Sequence, residues 1–422
     1  MPRYAIAMNE AQPDNHFEDR VRFLCELARH LHQAGTSAPR LEAAINDVGA
    51  RLSLSCQSLS TPTSVILSVA DRRAGDNALA EHTQVLRLAP GDVDLRVLAH
   101  VDRVAEQVAN GEIDIVAGHA ALNELRPRRG PLANGAMVAS YGLASGGIAV
   151  LLGGAAADAM VAAGVGTAIG GLSLLLPGRP NLAAGFEAII GFLAAFAVFV
   201  LHAYWTPLSV NSVTIAALIV LLPGLMLTTA VNELATQHLV SGIARLAGAS
   251  TVLLKLGFGI AAANQLAHSM ALDLKPVPAA PLPPQAEWIA LGMASIAFCV
   301  LFRAAKRDWL LVMASAWLGY LCTRFGGKAF GAEFGVFFAG LVVGCVSNFY
   351  ATRFNRPGAL VRVPGIILLV PGSVGLRSLF FVFERVVYLG LDTAFSLVVL
   401  LVSLVAGLLF GNVLVPPRRS LS

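Results

Sequence analysis

Apolar positions near the start of the chain recur every three to four residues. Phe17, Val21, Leu24, Leu27, Ala28 and Leu31 predict an amphipathic helix over 17–31. Leu41, Ala44, Ile45, Val48 and Leu52 predict a second over 38–52, with Ser37 and Pro39 placed to start it. Strand-like segments follow at 53–59, 64–70 and 82–88, separated by Thr61-Pro62 and by the turn-rich run 71–76. Two further helical stretches, 93–109 and 113–125, flank Asn110-Gly111. The pattern predicts a soluble α+β domain over 1–130.

Beyond Pro131 the period gives way to long apolar runs. Spans are expected at 133–152, 155–176, 184–204, 208–222 and 243–266, then 287–303, 309–323, 331–350, 358–376 and 389–413. The fold class is therefore a polytopic α-helical membrane protein with about ten transmembrane helices. The fourth and seventh runs are short, so either could be re-entrant or broken. A Pro-rich linker over 269–286 separates a first membrane unit, 131–268, from a second, 287–422.

Composition agrees. Of 422 residues, 56% are hydrophobic and 13% charged, and residues 1–132 hold 31 of the 56 charged side chains. A wholly soluble enzyme, a disulfide-rich secreted module and a disordered chain are excluded. The segment 1–132 carries net −3 and the remainder net +7. With ten spans and both termini cytoplasmic, the inner loops receive Arg126, Arg128, Arg129, Arg179, Arg303, Lys306, Arg307, Arg353 and Arg356, and the tail Arg418 and Arg419. Lys275, Arg324, Lys328, Arg377 and Arg385 fall on the other side. Glu10, Asp14, Glu18, Asp19 and Glu26 are incompatible with a signal peptide. No basic, aromatic-interleaved patch suggests nucleic acid.

The two membrane units match without a gap in a single register. Leu221-Leu222-Pro223-Gly224 meets Leu369-Val370-Pro371-Gly372, and Gly242, Gly259 and Asn264 meet Gly390, Gly407 and Asn412. Two five-helix units in tandem would be inverted repeats, an architecture of secondary transporters. The two Pro-Gly pairs interrupt apolar runs, which hydrocarbon tolerates only against protein or a polar cavity. A helix ending at the interface is the plainer reading.

Candidate binding residues are those whose polarity is costly in a bilayer. Asp158 and Glu187 lie in the second and third spans, and Asn232 and Glu233 follow the first break on a stretch read as amphipathic, 227–246. Lys255 is flanked by leucines and could counter Asp158 or a substrate carboxylate. Asn264 could contact ligand or join helices. Pro223, Gly224, Pro371 and Gly372 mark the breaks. For each the structural alternative is a cap, an interfacial position or helix glue.

Cys25, Cys56, Cys299, Cys322 and Cys345 lack metal-ligand spacing, and no metal or other cofactor is expected. No phosphate-cradling loop suggests ATP-driven transport. Ser60, Thr61, Thr63 and Ser64, with His82, His100 and His119, could supply a nucleophile and base, but no catalytic spacing organises them. A coupled carrier is favoured over a passive small-solute channel or a membrane-attached enzyme or sensor acting through the N-terminal domain. A proton is the economical coupling ion because carboxylates can carry one.

The order of parts resembles the threonine/serine exporter family. The residues carrying the likeness are Ser60-Thr61-Pro62-Thr63-Ser64, Leu221-Leu222-Pro223-Gly224 through Asn232, Gly242, Ala244 and Arg245, then Val363-Pro364-Gly365 and Leu369-Val370-Pro371-Gly372-Ser373. The likeness runs from about residue 17 to 413. It implies export of threonine and serine across the inner membrane, driven by the proton-motive force. Expected partners are an amino-acid substrate, protons and membrane lipid; a homo-oligomer is compatible with the pattern.

Overall fold

Phe23, Leu24, Leu27 and Leu31 point from helix α1 (Asn15–Gln33) into one apolar core, joined by Leu41 and Ile45 of α2 (Ala38–Arg51). The computed structural model describes residues 15–72, 82–124, 130–272 and 282–417. The same core takes Val65, Leu67 and Val69 from the middle strand of an antiparallel sheet, β1 (Leu54–Thr61), β2 (Ser64–Asp71) and β3 (His82–Arg87), in the order β1-β2-β3. Helices α3 (Leu95–Ala109) and α4 (Ile115–Asn123) start on Asp94 and Asp114, whose carboxylates accept the Val97 and Ala117 amides. The hydroxyl of Thr61 accepts the Thr63 and Ser64 amides and closes the β1–β2 hairpin.

The rest is helical: α5 (Pro131–Leu151), α6 (Ala156–Ser173), α7 (Pro180–Tyr204), α8 (Val210–Ala217), α9 (Gly224–Ala235) and α10 (Leu239–Ser269), then α11 (Pro284–Leu301), α12 (Trp309–Phe330), α13 (Ala332–Phe354), α14 (Ala359–Ile367), α15 (Gly372–Phe383) and α16 (Val387–Leu414). Among the described residues eight helices are long and apolar enough to cross a membrane, or nine with the bent pair Val210–Ala217 and Ile219–Ala235 as one span. The chain is thus a multi-pass membrane protein. The seventh expected span, α12, falls outside this set, because Thr323, Arg324, Gly326, Gly327 and Lys328 dilute its apolar character.

Several boundaries differ from expectation. The fourth run continues through a 55° bend into α9. The seventh is a continuous 22-residue helix, and the second break instead divides the ninth run between α14 and α15. The stretch 227–246 is also two helices, because the chain turns between α9 and α10 at Gln237, with φ 66°. The basic positions Arg126, Arg128, Arg129, Lys275, Arg418 and Arg419 and most of the 71–76 turn lie outside the described residues, as do Glu10, Asp14 and the middle of the Pro-rich linker, 273–281.

The register that pairs Pro223 with Pro371 carries Gly224–Ala235 onto Gly372–Phe383, the bounds of α15. Pro223 has φ −80° and ψ 37°, and Pro371 has φ −83° and ψ 37°. Arg385, the counterpart of Gln237 in that register, shares its left-handed backbone at φ 64°. A β-carbon on Gly259 would lie 2.2 Å from the Ala188 carbonyl oxygen, and one on Gly407 2.2 Å from that of Phe337. Such backbone-on-backbone seating needs glycine, and it recurs in both α7–α10 and α13–α16 packing.

The N-terminal domain docks on one end of this bundle. The Leu95 amide donates to the Phe302 carbonyl at 3.0 Å, and Arg303 lies 3.5 Å from Asp94. Ala359 enters the N-terminal core, while Leu360 packs with Leu95.

Candidate functional site

Where α8–α9 and α14–α15 break, each proline cannot donate a backbone hydrogen bond, and the helix beyond it starts afresh. The two glycines that follow touch. A β-carbon built on Gly372 would sit 3.1 Å from the Gly224 Cα, and one on Gly224 would sit 3.4 Å from the Gly372 Cα. A cavity of about 530 Å³ reaches this crossing and is lined by Val220, Gly224, Thr229, Leu368, Gly372 and Ser373, among others. In unbroken helices the carbonyls of Val220 and Leu368 would accept from Gly224 and Gly372. Tyr320 lines the same cavity and donates to Glu287, which also meets Arg324.

A second cavity, about 520 Å³, lies between the N-terminal domain and the bundle. Leu225 and Thr229 line both cavities, so the two adjoin. The second includes Asn232 but not its neighbour Glu233, which is fully buried and has a different task. One Glu233 oxygen accepts the Ala38 amide at the start of α2, 3.0 Å away. The other accepts the Ser241 hydroxyl at 2.8 Å and Arg245 Nε at 3.0 Å. Beside it, Glu42 accepts the Ser60 amide at 2.7 Å and lies 3.4 Å from His238. Burial raises the Glu42 carboxyl above its ordinary range, against the lowering pull of the Ser60 amide and His238. Burial likewise lowers His32, whose Nε2 donates to the Thr61 carbonyl at 3.0 Å.

The remaining sequence candidates separate. Asp158 is 2% exposed; its two oxygens accept the Ala155 and Ser209 amides, each at 2.9 Å, tying α6 to the segment before α8. Lys255 does not counter Asp158. It donates to the Ala184 carbonyl at 2.8 Å and lies 3.4 Å from Glu187, because α7 and α10 pack along that face. Asn264 is half-buried near the end of α10, away from both cavities. The four break residues and Asn232 therefore stand at or beside the cavities, whereas Asp158, Glu187 and Lys255 join helices. Glu287, Tyr320, Arg40 and Arg362 were not singled out by sequence. Glu287 follows a Pro-rich linker and reads as interfacial, and the two arginines meet one cavity only through tertiary folding.

Residues 22–267 match the ThrE family model of threonine/serine exporters, and residues 287–414 match the model described as "Threonine/Serine exporter, ThrE". The chain is 24% identical over 392 residues to Pheromone-regulated membrane protein 10 of Zygosaccharomyces rouxii, covering 90% of this chain and 39% of that protein. It is 22% identical over 337 residues to a Mycobacterium tuberculosis protein named "Probable threonine/serine exporter", covering 77% and 64%. A Saccharomyces cerevisiae Pheromone-regulated membrane protein 10 matches over 172 residues at 25% identity, covering 40% and 45%. The chain spans less than half the length of these fungal relatives. No solved structure matches it. With one model matched over more than half of its length and the second over most of the rest, the chain belongs to the threonine/serine exporter family.

Proposed function

We propose that the chain is a proton-coupled secondary exporter of small hydroxylated amino acids, threonine and serine, working by alternating access at the crossed Pro-Gly breaks. The observation that carries this reading is the Gly224–Gly372 contact. Residues matched by the sequence register meet there, as they would at the axis of two inverted units, and the cavity reaches that point. The amides opening α9 and α15 suit a substrate carboxylate. The carbonyls of Val220 and Leu368 suit its ammonium, and Ser373 or Thr229 suits the side-chain hydroxyl.

Counting crossings from the docked N-terminal domain supports inverted units. The α9–α10 turn, the end of α11 and the start of α14 meet that domain, so α5 would leave its face and α11 would return to it. Arg303 lies on that face, as cytoplasmic termini in an inner membrane require. For the coupling proton we favour Glu287, the carboxylate joined to the break cavity through Tyr320. Asp158 and Glu233 already hold backbone amides. One charge crossing 100 mV supplies about 2.3 kcal/mol, roughly fiftyfold accumulation.

The test is efflux of labelled amino acids from proteoliposomes under an imposed proton gradient. Threonine and serine are expected to leave faster than valine, and an uncoupler should abolish accumulation. Equal flux of all three, insensitive to the uncoupler, would make the chain a passive pore.

A further inference from the structure

The cavity between the N-terminal domain and the bundle contains unusual chemistry for a contact surface. Arg40 Nη2, Arg362 Nε and the Thr36 hydroxyl are shut off from solvent without a hydrogen-bond partner among the described residues, and all three residues line this one cavity. Arg40 comes from α2 and has no ion pair among the described residues; burial lowers its guanidinium to about 10. Arg362 comes from α14 and spends one nitrogen, Nη2, on Asn348 Oδ1 at 2.8 Å. Asn348 is in turn held by Asn412 and by the Val415 carbonyl.

Buried charges are ordinarily paired, because removing an ion from water without compensation is costly. Two guanidiniums from different layers, each with an unsatisfied nitrogen, call for an anion that the described residues do not supply. The forked donors of arginine match a planar carboxylate. Asp47 and Asp94 line the same cavity. Their negative charges oppose a multiply charged anion and suit a ligand carrying an ammonium as well. Each faces an arginine, Asp94 at 3.5 Å from Arg303 and Asp47 at 3.4 Å from Arg51, but Asp94 also caps α3 through the Val97 amide, which leaves the more exposed Asp47 free to turn to a ligand.

We propose that this cavity is a capture site for a zwitterionic α-amino acid, with its carboxylate held by Arg40 and Arg362 and its ammonium directed towards Asp47. The site rests on the exporter reading and deepens it. It adjoins the break cavity at Leu225 and Thr229, so a captured molecule stands one step from the crossing. Because Arg40 belongs to the N-terminal domain and Arg362 to the bundle, occupancy also joins the two. The Glu233–Ala38 bond sets this geometry, since Ala38 lies two residues before Arg40.

The experiment measures equilibrium binding of L-threonine to the full chain in lipid nanodiscs, alongside proteoliposome efflux. Threoninol, which lacks the carboxylate, and inorganic phosphate serve as comparison ligands. Arg40→Gln and Arg362→Gln are expected to weaken threonine binding at least tenfold and to raise KM by a similar factor with kcat little changed. Thr36→Val, which keeps the side-chain volume, should weaken binding about threefold and tests the site even if an arginine variant fails to fold. Threoninol should not bind, and phosphate should not compete. Wild-type affinity and KM in folded Arg362→Gln and Thr36→Val would overturn the proposal while leaving the exporter reading intact. Phosphate competing as well as threonine would overturn it in favour of a simple anion site. Arginine-dependent threonine binding without any efflux would instead keep the capture site and remove the exporter.

Discussion

Gly224 and Gly372 lie backbone to backbone, a β-carbon built on the second falling 3.1 Å from the Cα of the first. They occupy equivalent positions in the two units, they follow prolines of the same conformation, and each opens a twelve-residue helix. Self-contact between matched positions is what a two-fold relation would produce at its axis, in keeping with the inverted units proposed above. Close approach there keeps both broken ends facing one cavity.

That contact is sensitive to a single methyl. Gly372→Ala would press on the Gly224 backbone and on Leu222 Cβ at 3.3 Å, and neither can swing aside like a long side chain. A loss of about 1–2 kcal/mol is expected, read as a lower melting temperature in detergent. Efflux in proteoliposomes should fall at least tenfold. Gly171→Ala, where an added β-carbon meets nothing within 4 Å, is the control and should behave as wild type.

Glu233 was a ligand candidate by sequence, and its geometry makes it a fastener between layers. Removing the carboxylate in Glu233→Ala strands Arg245 and uncaps α2 together. The expected cost is about 3 kcal/mol, and hydrogen exchange should speed up at the first turn of α2. Ser241→Ala removes one donor from the same carboxylate and should cost about 1 kcal/mol. Equal effects of the two would mean that Glu233 does not hold the domain.

Most helices were legible because apolar runs and periodicity are local properties. The Ser37-Pro39 start of α2, the Thr61–Ser64 hairpin and the paired Pro-Gly breaks could all be read before any packing was known. The turn at Gln237 could not, since a left-handed backbone at glutamine has no residue signal and the apolar pattern runs straight through it. Site chemistry was less legible. A costly side chain announces itself in sequence, but its partner does not. Glu233 meets an amide 195 positions away, and Lys255 meets Glu187 instead of Asp158.

Acid should loosen the N-terminal domain. Burial lowers His30, His32 and His100 below the ordinary value of 6.5, so the unfolded chain binds more protons than the folded one beneath that pH. Stability is then level above pH 6.5 and falls as pH drops, by up to about 1.4 kcal/mol per unit for each group. Glu42 acts with the opposite sign, its raised carboxyl favouring the folded state as pH falls through its own range above 4.5. The comparison therefore belongs in a Glu42→Gln background. There, His32→Gln should flatten the melting-temperature decline between pH 6.5 and 5; an unchanged slope would clear His32 of the effect.

Under the proposed coupling, Asp158 and Glu287 would divide the labour that sequence alone would give to any membrane carboxylate. Asp158 ties α6 to Ser209, and Asp308, equally buried at 2%, ties the start of α12 to Arg356 through two hydrogen bonds of 2.7 and 2.9 Å. Both bonds join the second helix of a unit to the segment before its fourth. That recurrence suits a structural clamp; Glu287 instead takes its bonds from two side chains, Tyr320 and Arg324, which can swing away when it is protonated. Asp158→Asn keeps one acceptor and should lower stability by about 1–2 kcal/mol while leaving the pH dependence of efflux in place. Glu287→Gln should do the reverse. Folding should be near normal, threonine–threonine exchange across the vesicle should persist, and accumulation driven by a proton gradient should disappear. If Asp158→Asn abolished gradient-driven accumulation and spared exchange, the assignments of clamp and carrier would have to be exchanged.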